Sequence, residues 1–483
     1  MNVITRFAPS PTGDLHIGSA RTAIYNYLFA KHYKGKFLIR VEDTDKTRST
    51  KESLNSILYG IDWLGLSYDD KIIYQSQRHE RHKEVALDLL RKGKAYKCFL
   101  SSEEIEHQKA DAKKNKKSFL LQSPWRNKQE SELPNSGKYV IRIKAPQIGN
   151  SVIDDLVQGR VDVSNKTLDD FVLLRSDGTP TYMLAVVVDD YDMNITHVVR
   201  GDDHLNNAFR QKVIYDALDW KMPKMAHIPL IHGPDGAKLS KRHGSVGIEE
   251  YRQQGYLPEA IFSYLLRLGW SLQDKEVISR DEAILHFDGS HIGKSAARID
   301  FEKLKFINAE YLRSKTNQQL LNIILDEFKN HNILLQNNKK FNDILLEAME
   351  EIKVRSELTG DLVELAKIYH PDNIFEFSLD AKQLISTASE EFIDEIIDLL
   401  TKMDISSKEN VSEEFKLFSK YKGVKLGQIM APIRAIITGK TASPSVFSII
   451  SLLGRDVVIE RLYNAKKLRQ ELSNTKFNSQ TMR

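Results

Sequence analysis

The sequence predicts an α/β protein: a parallel sheet flanked by helices, interrupted by an α+β insertion and followed by an all-helical region. Three observations carry that expectation. Strand and helix signals alternate up to about residue 78 and again over 182–231. Between those stretches lie short alternating strands punctuated by turns. After Asn308 strand signals almost vanish and amphipathic helical patterns take over.

Taken in order, "NVITRFA" reads as a buried strand, "IGSARTAIYNYLFAKHY" as a helix and "KFLIRVE" as a second strand. Ala20, Ile24, Tyr27, Leu28 and Lys31 recur at helical spacing, with the aliphatic positions on one face. A strand, a crossover helix and a second strand make a right-handed parallel unit. "KESLNSILYGIDWLGL" sets Leu54, Ile57, Leu58, Ile61 and Leu64 on one face, with Gly65 at its stop. "RHERHKEVALDLLRKG" closes on Arg91, Lys92 and Gly93, a basic last turn followed by a terminating glycine. From Tyr96 to Thr179 the pattern changes. "EIEHQKADAKKNKK" is a solvated helix or loop, and "GKYVIRIKA", "RVDVSN" and "DFVLLRSDG" are short strands. The parallel pattern then resumes with "TYMLAVVVDD", "ITHVVRGDDH", the helix "LNNAFRQKVIYDALDW" and "MAHIPLIHGPDG". "QQLLNIILDEF", "DILLEAMEEI", "EEFIDEIIDLLTKM" and "VFSIISLLGRDVVIERLYNAKKL" supply the later helices.

A length of 483 residues exceeds one ordinary core and implies several domains. A formal charge of +4 suits a polyanionic partner without demanding one. Cys98 is the only cysteine, which excludes an intrachain disulfide and a thiolate metal cluster. "MNVITRF" lacks the basic-then-apolar pattern of a secretory signal, and "MLAVVVDD" is far too short to span a membrane, so a cytoplasmic, membrane-free setting is expected.

Two stretches carry chemistry. "PSPTGDLHIGS" joins the first strand to its helix, at the carboxyl edge where open α/β sheets bind ligands. Pro9 and Pro11 stiffen the turn, while Gly13 and Gly18 let a ligand approach the backbone. His16 lies near the helix N-terminus, where free N–H groups favour an anion such as phosphate. "GPDGAKLSKRHGS" sets Lys238, Ser240, Lys241 and Arg242 between glycines, a positively charged loop suited to phosphate oxygens. Either string alone reads equally well as a capped helix or a solvated turn; the pair is more specific.

That pair resembles the signature arrangement of class I aminoacyl-tRNA synthetases. His16-Ile17-Gly18-Ser19 is similar to their His-Ile-Gly-His motif, and Lys238-Leu239-Ser240-Lys241-Arg242 to their Lys-Met-Ser-Lys-Ser motif, with Ser19 and Arg242 as departures. Within that class, "RFAPSPTGDLHIGSARTAIYNYLFA", "GKFLIRVEDTDKTRST", "TPTYMLAVVVDDYDMNITHVVRGDDHL" and "PLIHGPDGAKLSKRHGS" resemble the bacterial-type glutamyl-tRNA synthetases. The resemblance implies a Rossmann-like catalytic domain at 1–78 and 182–231, and an inserted domain for the tRNA acceptor end at 79–181. It also implies a stem-contact region at 232–313 and a helical anticodon-binding region at 314–483, divided near 371. It further implies a monomer using L-glutamate, ATP and Mg²⁺. The glutamate α-carboxylate would attack the α-phosphorus, and the glutamyl group would pass to the 2′-hydroxyl of the terminal adenosine of tRNA-Glu. The alternative is glutamylation of tRNA-Gln, alone or together with tRNA-Glu.

Glutamate carries two carboxylates and one ammonium, so its pocket needs cations for the former and an anion for the latter. Arg6 and Arg200 end strands at the ligand edge, and the resemblance gives them the side-chain carboxylate, with the Tyr182 hydroxyl nearby. Glu42, at the end of "FLIRVE", is expected to take the ammonium, beside Ala8 and Ser10. By the same resemblance His16, Lys238 and Lys241 would supply positive charge to the phosphates, and His16, Gly18, Asp203, His204, Lys238, Ser240 and Lys241 would bind ATP. Asp43 or Asp45 in "EDTD" also reads as a helix cap, and Asp202 and Asp203 as caps for the helix starting at Leu205. Many relatives hold zinc on a cysteine cluster near the insertion. Here "YKCFLSSEE" has Cys98 alone, so no zinc is expected and Cys98 reads as a buried small hydrophobe. In the helical region Lys353 and Arg355 fall close together on a helix, and Arg434 near a proline break. The resemblance points to Arg355 as an anticodon reader; exposed helix charges are the simpler reading.

Overall fold

The computed structural model describes residues 2–45, 48–116, 119–239, 247–333 and 338–480. The chain divides into two compact units, Met1–Gln253 with Pro258–Leu304, and Gln254–Leu257 with Lys305–Arg483.

The first unit opens with β1 (Ile4–Phe7), α1 (Ile17–His32), β2 (Lys36–Val41), α2 (Lys51–Trp63) and β3 (Ile73–Tyr74). β1 pairs in parallel with β2, Arg6 opposite Leu38, and β2 pairs in parallel with β3 on its far side. Local chemistry sets the ends of these helices. Thr50 caps α2 by accepting from Ser53 N, and Gly65 beyond its end takes a left-handed φ of 66°. α3 (His79–Arg91) leads into Gly93 at φ 67° in the same way.

The insertion then contributes β4 (Ala95–Cys98), α4 (Ser102–Lys114), β5 (Val140–Ile143), β6 (Asn150–Asp155), β7 (Gly159–Ser164) and β8 (Val172–Leu174). The charged run resolves as helix α4, held at its start by a reciprocal Ser101–Glu104 capping box. β4, β5 and β8 form an antiparallel sheet, and β6 and β7 a separate hairpin.

α5 (Tyr182–Asp192), β9 (His197–Gly201), α6 (Leu205–Leu218) and β10 (Lys224–Ile228) return the chain to parallel pairing, with Arg200 opposite His227. Thr196 N donates to Ile4 O at 2.9 Å, which brings the start of β9 beside β1. From β1 the chain winds through α1 to β2, and from β9 it winds through α6 to β10. The carboxyl ends of β1 and β9 therefore flank a topological switch point, where such sheets bind ligands.

Two expectations about the elements of this unit need correction. "TYMLAVVVDD" is helix α5, not a strand. Leu184 to Asp190 are all buried, so the element shows no amphipathic period that would separate a helix from a strand. α1 is likewise enclosed on more than one face: Arg21, Tyr25 and Asn26 are buried along with the aliphatic positions. Backbone oxygens accept from them, Leu268 O from Arg21 Nη1, Leu266 O from Tyr25 Oη and Val199 O from Asn26 Nδ2, while Arg21 Nε and Asn26 Oδ1 have no partner.

The unit is completed by β11 (Ile231–His232), α7 (Ile248–Gln253), α8 (Pro258–Arg267), α9 (Arg280–His286) and β12 (Ala297–Arg298), the two strands pairing in parallel. α10 (Phe301–Ser314) carries the boundary between the units. The second unit continues with α11 (Asn317–Asn330), α12 (Asn338–Lys353), α13 (Thr359–Ala366), α14 (Leu379–Thr387), α15 (Glu390–Lys402), α16 (Lys408–Lys422), α17 (Leu426–Thr438), α18 (Val446–Leu453) and α19 (Arg455–Gln480). Pro432 does not break its helix but lies inside α17, which ends instead at Gly439 with φ 70°. Ile429, Met430, Ile433, Ile436 and Ile437 are buried on either side of Pro432, so tertiary packing holds the helix through the one backbone bond that proline removes.

Candidate active site

A cavity of about 630 Å³ opens in the first unit at the carboxyl ends of β1 and β9. Arg6, Ala8, Ser10, His16, Gly18, Glu42, Tyr182, Arg200, Asp203, His204 and Lys238 all line it. Ser240 and Lys241 lie outside the described residues. Arg355 is in the second unit.

At one end two strands deliver Arg6 and Arg200, 4% and 6% exposed. Arg6 Nε donates to Asp190 Oδ1 at 3.1 Å, and the same carboxylate accepts from Arg40, which also donates to Glu42 Oε1 at 3.2 Å. Arg6, Arg40, Asp190 and Glu42 thus form a chain of two cations and two anions. Burial raises the Glu42 carboxyl above its usual range, against the opposing pull of Arg40 and Arg6. A bound ammonium would favour its ionised form. Burial and then the Glu42 charge push the Tyr182 phenol up to about 12, so it stays a hydrogen-bond donor.

Arg200 is held differently. Nε donates to His227 Nε2 at 3.1 Å, and Nη2 donates to Gln211 Oε1 at 2.9 Å and to His204 O at 3.3 Å. Nη1 is buried and has no protein partner. No acceptor in that set is a carboxylate, and burial lowers the guanidinium's affinity for its proton. An anion supplied from the cavity would satisfy both the free nitrogen and the charge.

At the other end His16 is the N-cap of α1, its Nδ1 accepting from Gly18 N at 3.3 Å. An acceptor at Nδ1 places the imidazole proton on Nε2. Burial, and then the charge of Lys238, hold the His16 pKa below its ordinary value, so the ring is a neutral donor. The first turn of α1 contains no acidic side chain, which leaves its N–H groups and dipole open to an anion. Lys238 forms an isolated β-bridge with His232, and its Nζ lies 4.0 Å from Asp203 Oδ2.

Asp202 and Asp203 are not caps of α6. They sit in a 3₁₀ turn, Asp202–His204, that runs straight into the helix, whose N-cap His204 makes no side-chain cap bond. Asp43 does not cap α2 either. It accepts from Ser76 N and Oγ at 2.8 and 2.6 Å and so ties the turn after β2 to the turn after β3.

Arg21, Thr22 and Asn207 also line the cavity, and Arg40 and Asp190 brace it, although sequence reasoning selected none of them. Arg40 and the Asp189-Asp190 pair did carry a signal. Charges inside otherwise apolar runs must find partners when buried. Thr22 and Asn207 sit in helices with no local mark.

Cys98 is 1% exposed on β4, its Sγ 3.5 Å from Ser123 Oγ. Among the described residues no group of three or more His, Cys, Asp or Glu is placed to hold a metal ion, and no helix is long and apolar enough to cross a membrane. In the second unit Arg355 lies two residues beyond α12, not on it, with Nη1 on Glu351 O at 2.7 Å, while Lys353 ends the helix paired to Glu350. Past Lys353 the chain tightens into i→i−3 turns, Arg355 N on Ile352 O and Ser356 N on Lys353 O at 3.0 and 3.3 Å. Arg434 binds Ser443 O, Ser443 Oγ and Pro444 O, bracing a turn.

The catalytic-domain model of the class I tRNA synthetases (E and Q) matches residues 2–306, and an anticodon binding domain model matches 317–466. A glutamate–tRNA ligase of Rickettsia felis is 52% identical over 464 residues, covering 95% of this chain and 99% of its own. One from Orientia tsutsugamushi is 50% identical over 472 residues, covering 97% and 98%. The crystal structure of a glutamate tRNA ligase from Elizabethkingia meningosepticum in complex with its amino acid aligns with a TM-score of 0.84. It shares 31% identity over 96% of this chain and 99% of that one. The parallel sheet, the His16 turn at its switch point and the helical second unit, together with these matches, lead to one conclusion: the chain belongs to the class I tRNA synthetases of the glutamate and glutamine (E and Q) family.

Proposed function

We propose that this protein ligates L-glutamate to tRNA-Glu in two steps through a glutamyl-adenylate. The observation that carries this reading is the buried, partnerless Nη1 of Arg200 beside Arg6, in the same cavity as Glu42 and the His16 cap. Arg200 and Arg6 pair with the substrate side-chain carboxylate, and the Tyr182 hydroxyl donates to it. Glu42 takes the ammonium, with Ser10 and the Ala8 backbone beside it. The α-carboxylate is then free to attack the α-phosphorus of ATP and release pyrophosphate. No protein nucleophile is required, so rate comes from positioning and charge stabilisation. His16 Nε2–H and the Lys238 ammonium serve the phosphates, with Gly18, Asp203 and His204 around the nucleotide. Lys241 and Ser240, outside the described residues, take their phosphate role from motif position alone. Mg²⁺ carried on the ATP phosphates would supply further charge neutralisation there. The acyl group then passes to the 2′-hydroxyl of the terminal adenosine.

In the same reading residues 79–181 receive the acceptor end, 232–313 the stem and 314–483 the anticodon, the last in two parts divided near 371. Arg355 is the candidate anticodon reader, because it stands clear of the helix. The working form is a cytoplasmic monomer without zinc. Glutamate-dependent ATP–pyrophosphate exchange, with and without tRNA, followed by charging of purified tRNA-Glu and tRNA-Gln, tests the proposal. Exchange with glutamate and charging of tRNA-Glu are expected. Charging of tRNA-Gln alone would replace the substrate, and absence of exchange under every condition would remove the reading.

A further inference from the structure

Behind Arg200 lies a second layer that the ligation reading does not use. His227 on β10 is 0% exposed, and its two ring nitrogens face chemically opposite partners. Nδ1 lies 2.6 Å from Asp155 Oδ2, and Nε2 lies 3.1 Å from Arg200 Nε. A guanidinium Nε–H can only donate, so His227 Nε2 must accept. The carboxylate accepts, so Nδ1 carries the proton. The ring is therefore a neutral, single tautomer fixed from both sides. Asp155 is itself immobilised: Oδ1 accepts from the backbone N–H groups of Val157, Gln158 and His227 at 2.9, 2.8 and 3.1 Å. The loop after β6 also grips β10, through Leu156 N on Met225 O and Gln158 Nε2 on His227 O.

We infer that Asp155 and His227 are positioning residues for glutamate selectivity. Asp155, in the insertion, sets the His227 tautomer. His227, with Gln211, aims Arg200 through neutral acceptors only, so the full guanidinium charge remains for a ligand carboxylate. The contrast with Arg6 and Arg40 is direct, since both of those share the Asp190 carboxylate. A carboxylate in place of Gln211 or His227 would compensate Arg200 internally and weaken its preference for an acid over an amide. The neutral cradle avoids that, and Asp155 keeps its own charge one residue removed. This inference rests on the glutamate reading above.

Asp155→Asn tests it. The asparagine oxygen must stay over the three backbone N–H groups, so its amide nitrogen turns to His227 Nδ1 and donates. The imidazole proton then moves to Nε2, which faces the donor Nε–H of Arg200, and the aim of the guanidinium is lost. In exchange assays with tRNA present, Asp155→Asn is expected to raise the glutamate KM by about tenfold or more, the range of one hydrogen bond to a charged group. The preference for glutamate over glutamine should narrow by a similar factor, while kcat changes little. His227→Gln keeps an acceptor toward Arg200 and should preserve the preference, whereas His227→Leu should lose it. If Asp155→Asn does not fold, the Gln and Leu variants decide. A fall in the active fraction or in Tm with KM and preference unchanged would make the Asp155–His227 pair a structural tie and overturn the inference. Equal selectivity of His227→Gln and His227→Leu would overturn it as well. Wild-type protein that shows no glutamate-dependent exchange would instead defeat the underlying reading.

Discussion

In the helical unit Arg461 is 2% exposed, with Nη1 on the carbonyl oxygens of Ile368 and Ile437 and Nη2 on that of His370. Arg455 in the same unit closes the end of α15 by donating to Leu400 O and Met403 O, and Arg434 braces the turn at 443–444. On Arg461 both terminal nitrogens are committed to the chain's own carbonyls, and only Nε lacks a partner. In the catalytic unit Arg200 is also buried and held by neutral acceptors, yet its terminal Nη1 is left without a partner, on a residue that lines the cavity. The difference teaches how to separate a structural arginine from a binding one. Burial alone does not distinguish them; a terminal nitrogen left unsatisfied on a cavity-lining residue does. The proposed anticodon reading therefore turns to cations outside the packing, such as Arg355, which is exposed with its side chain on Glu351 O.

The largest expected effect comes from treating Arg40 as if it were like Arg200. Arg40 is fully buried between Asp190 and Glu42, and Arg40→Ala takes from Glu42 its ion-pair partner and leaves Asp190 to Arg6 alone. It should cost about 3–5 kcal/mol of stability, read from the denaturant midpoint. A loss of glutamate affinity with normal stability would place Arg40 with the binding arginines and break the comparison.

The smallest effect is expected at Arg355. Arg355→Ala should alter the ratio of tRNA-Glu to tRNA-Gln charging by roughly tenfold or less, the range of one ordinary hydrogen bond. An equal loss on both tRNAs, or none, would mean that Arg355 meets phosphate or solvent.

The sequence made the frame of the catalytic unit legible, because β1, α1 and β2 follow one another at short range and the turn between β1 and α1 has the residues such turns require. Arg6, Glu42 and Arg200 could be picked out because strand ends at a parallel edge face the ligand whatever the details. α5 could not, since an element buried on all sides has no period to read. The Arg200 cradle could not either. Its partners come from β10, α6 and, one layer behind, β6, so the constellation exists only once two parallel strands and an inserted hairpin have packed together. In the helical unit, Lys353, Arg355 and Arg434 look alike in sequence. Only the fold shows that the first pairs with Glu350 and the last braces a turn.

The central claim is that Arg200 keeps its charge for the substrate carboxylate, and the most direct measurement is the ratio of kcat/KM for glutamate over glutamine in wild type and Arg200→Ala. Wild type should strongly prefer glutamate. Arg200→Ala should remain folded, lose roughly 10²-fold or more on glutamate and much less on glutamine, because the neutral amide never used the charge. A variant that loses activity equally on both substrates, or that keeps the wild-type ratio, would contradict the account.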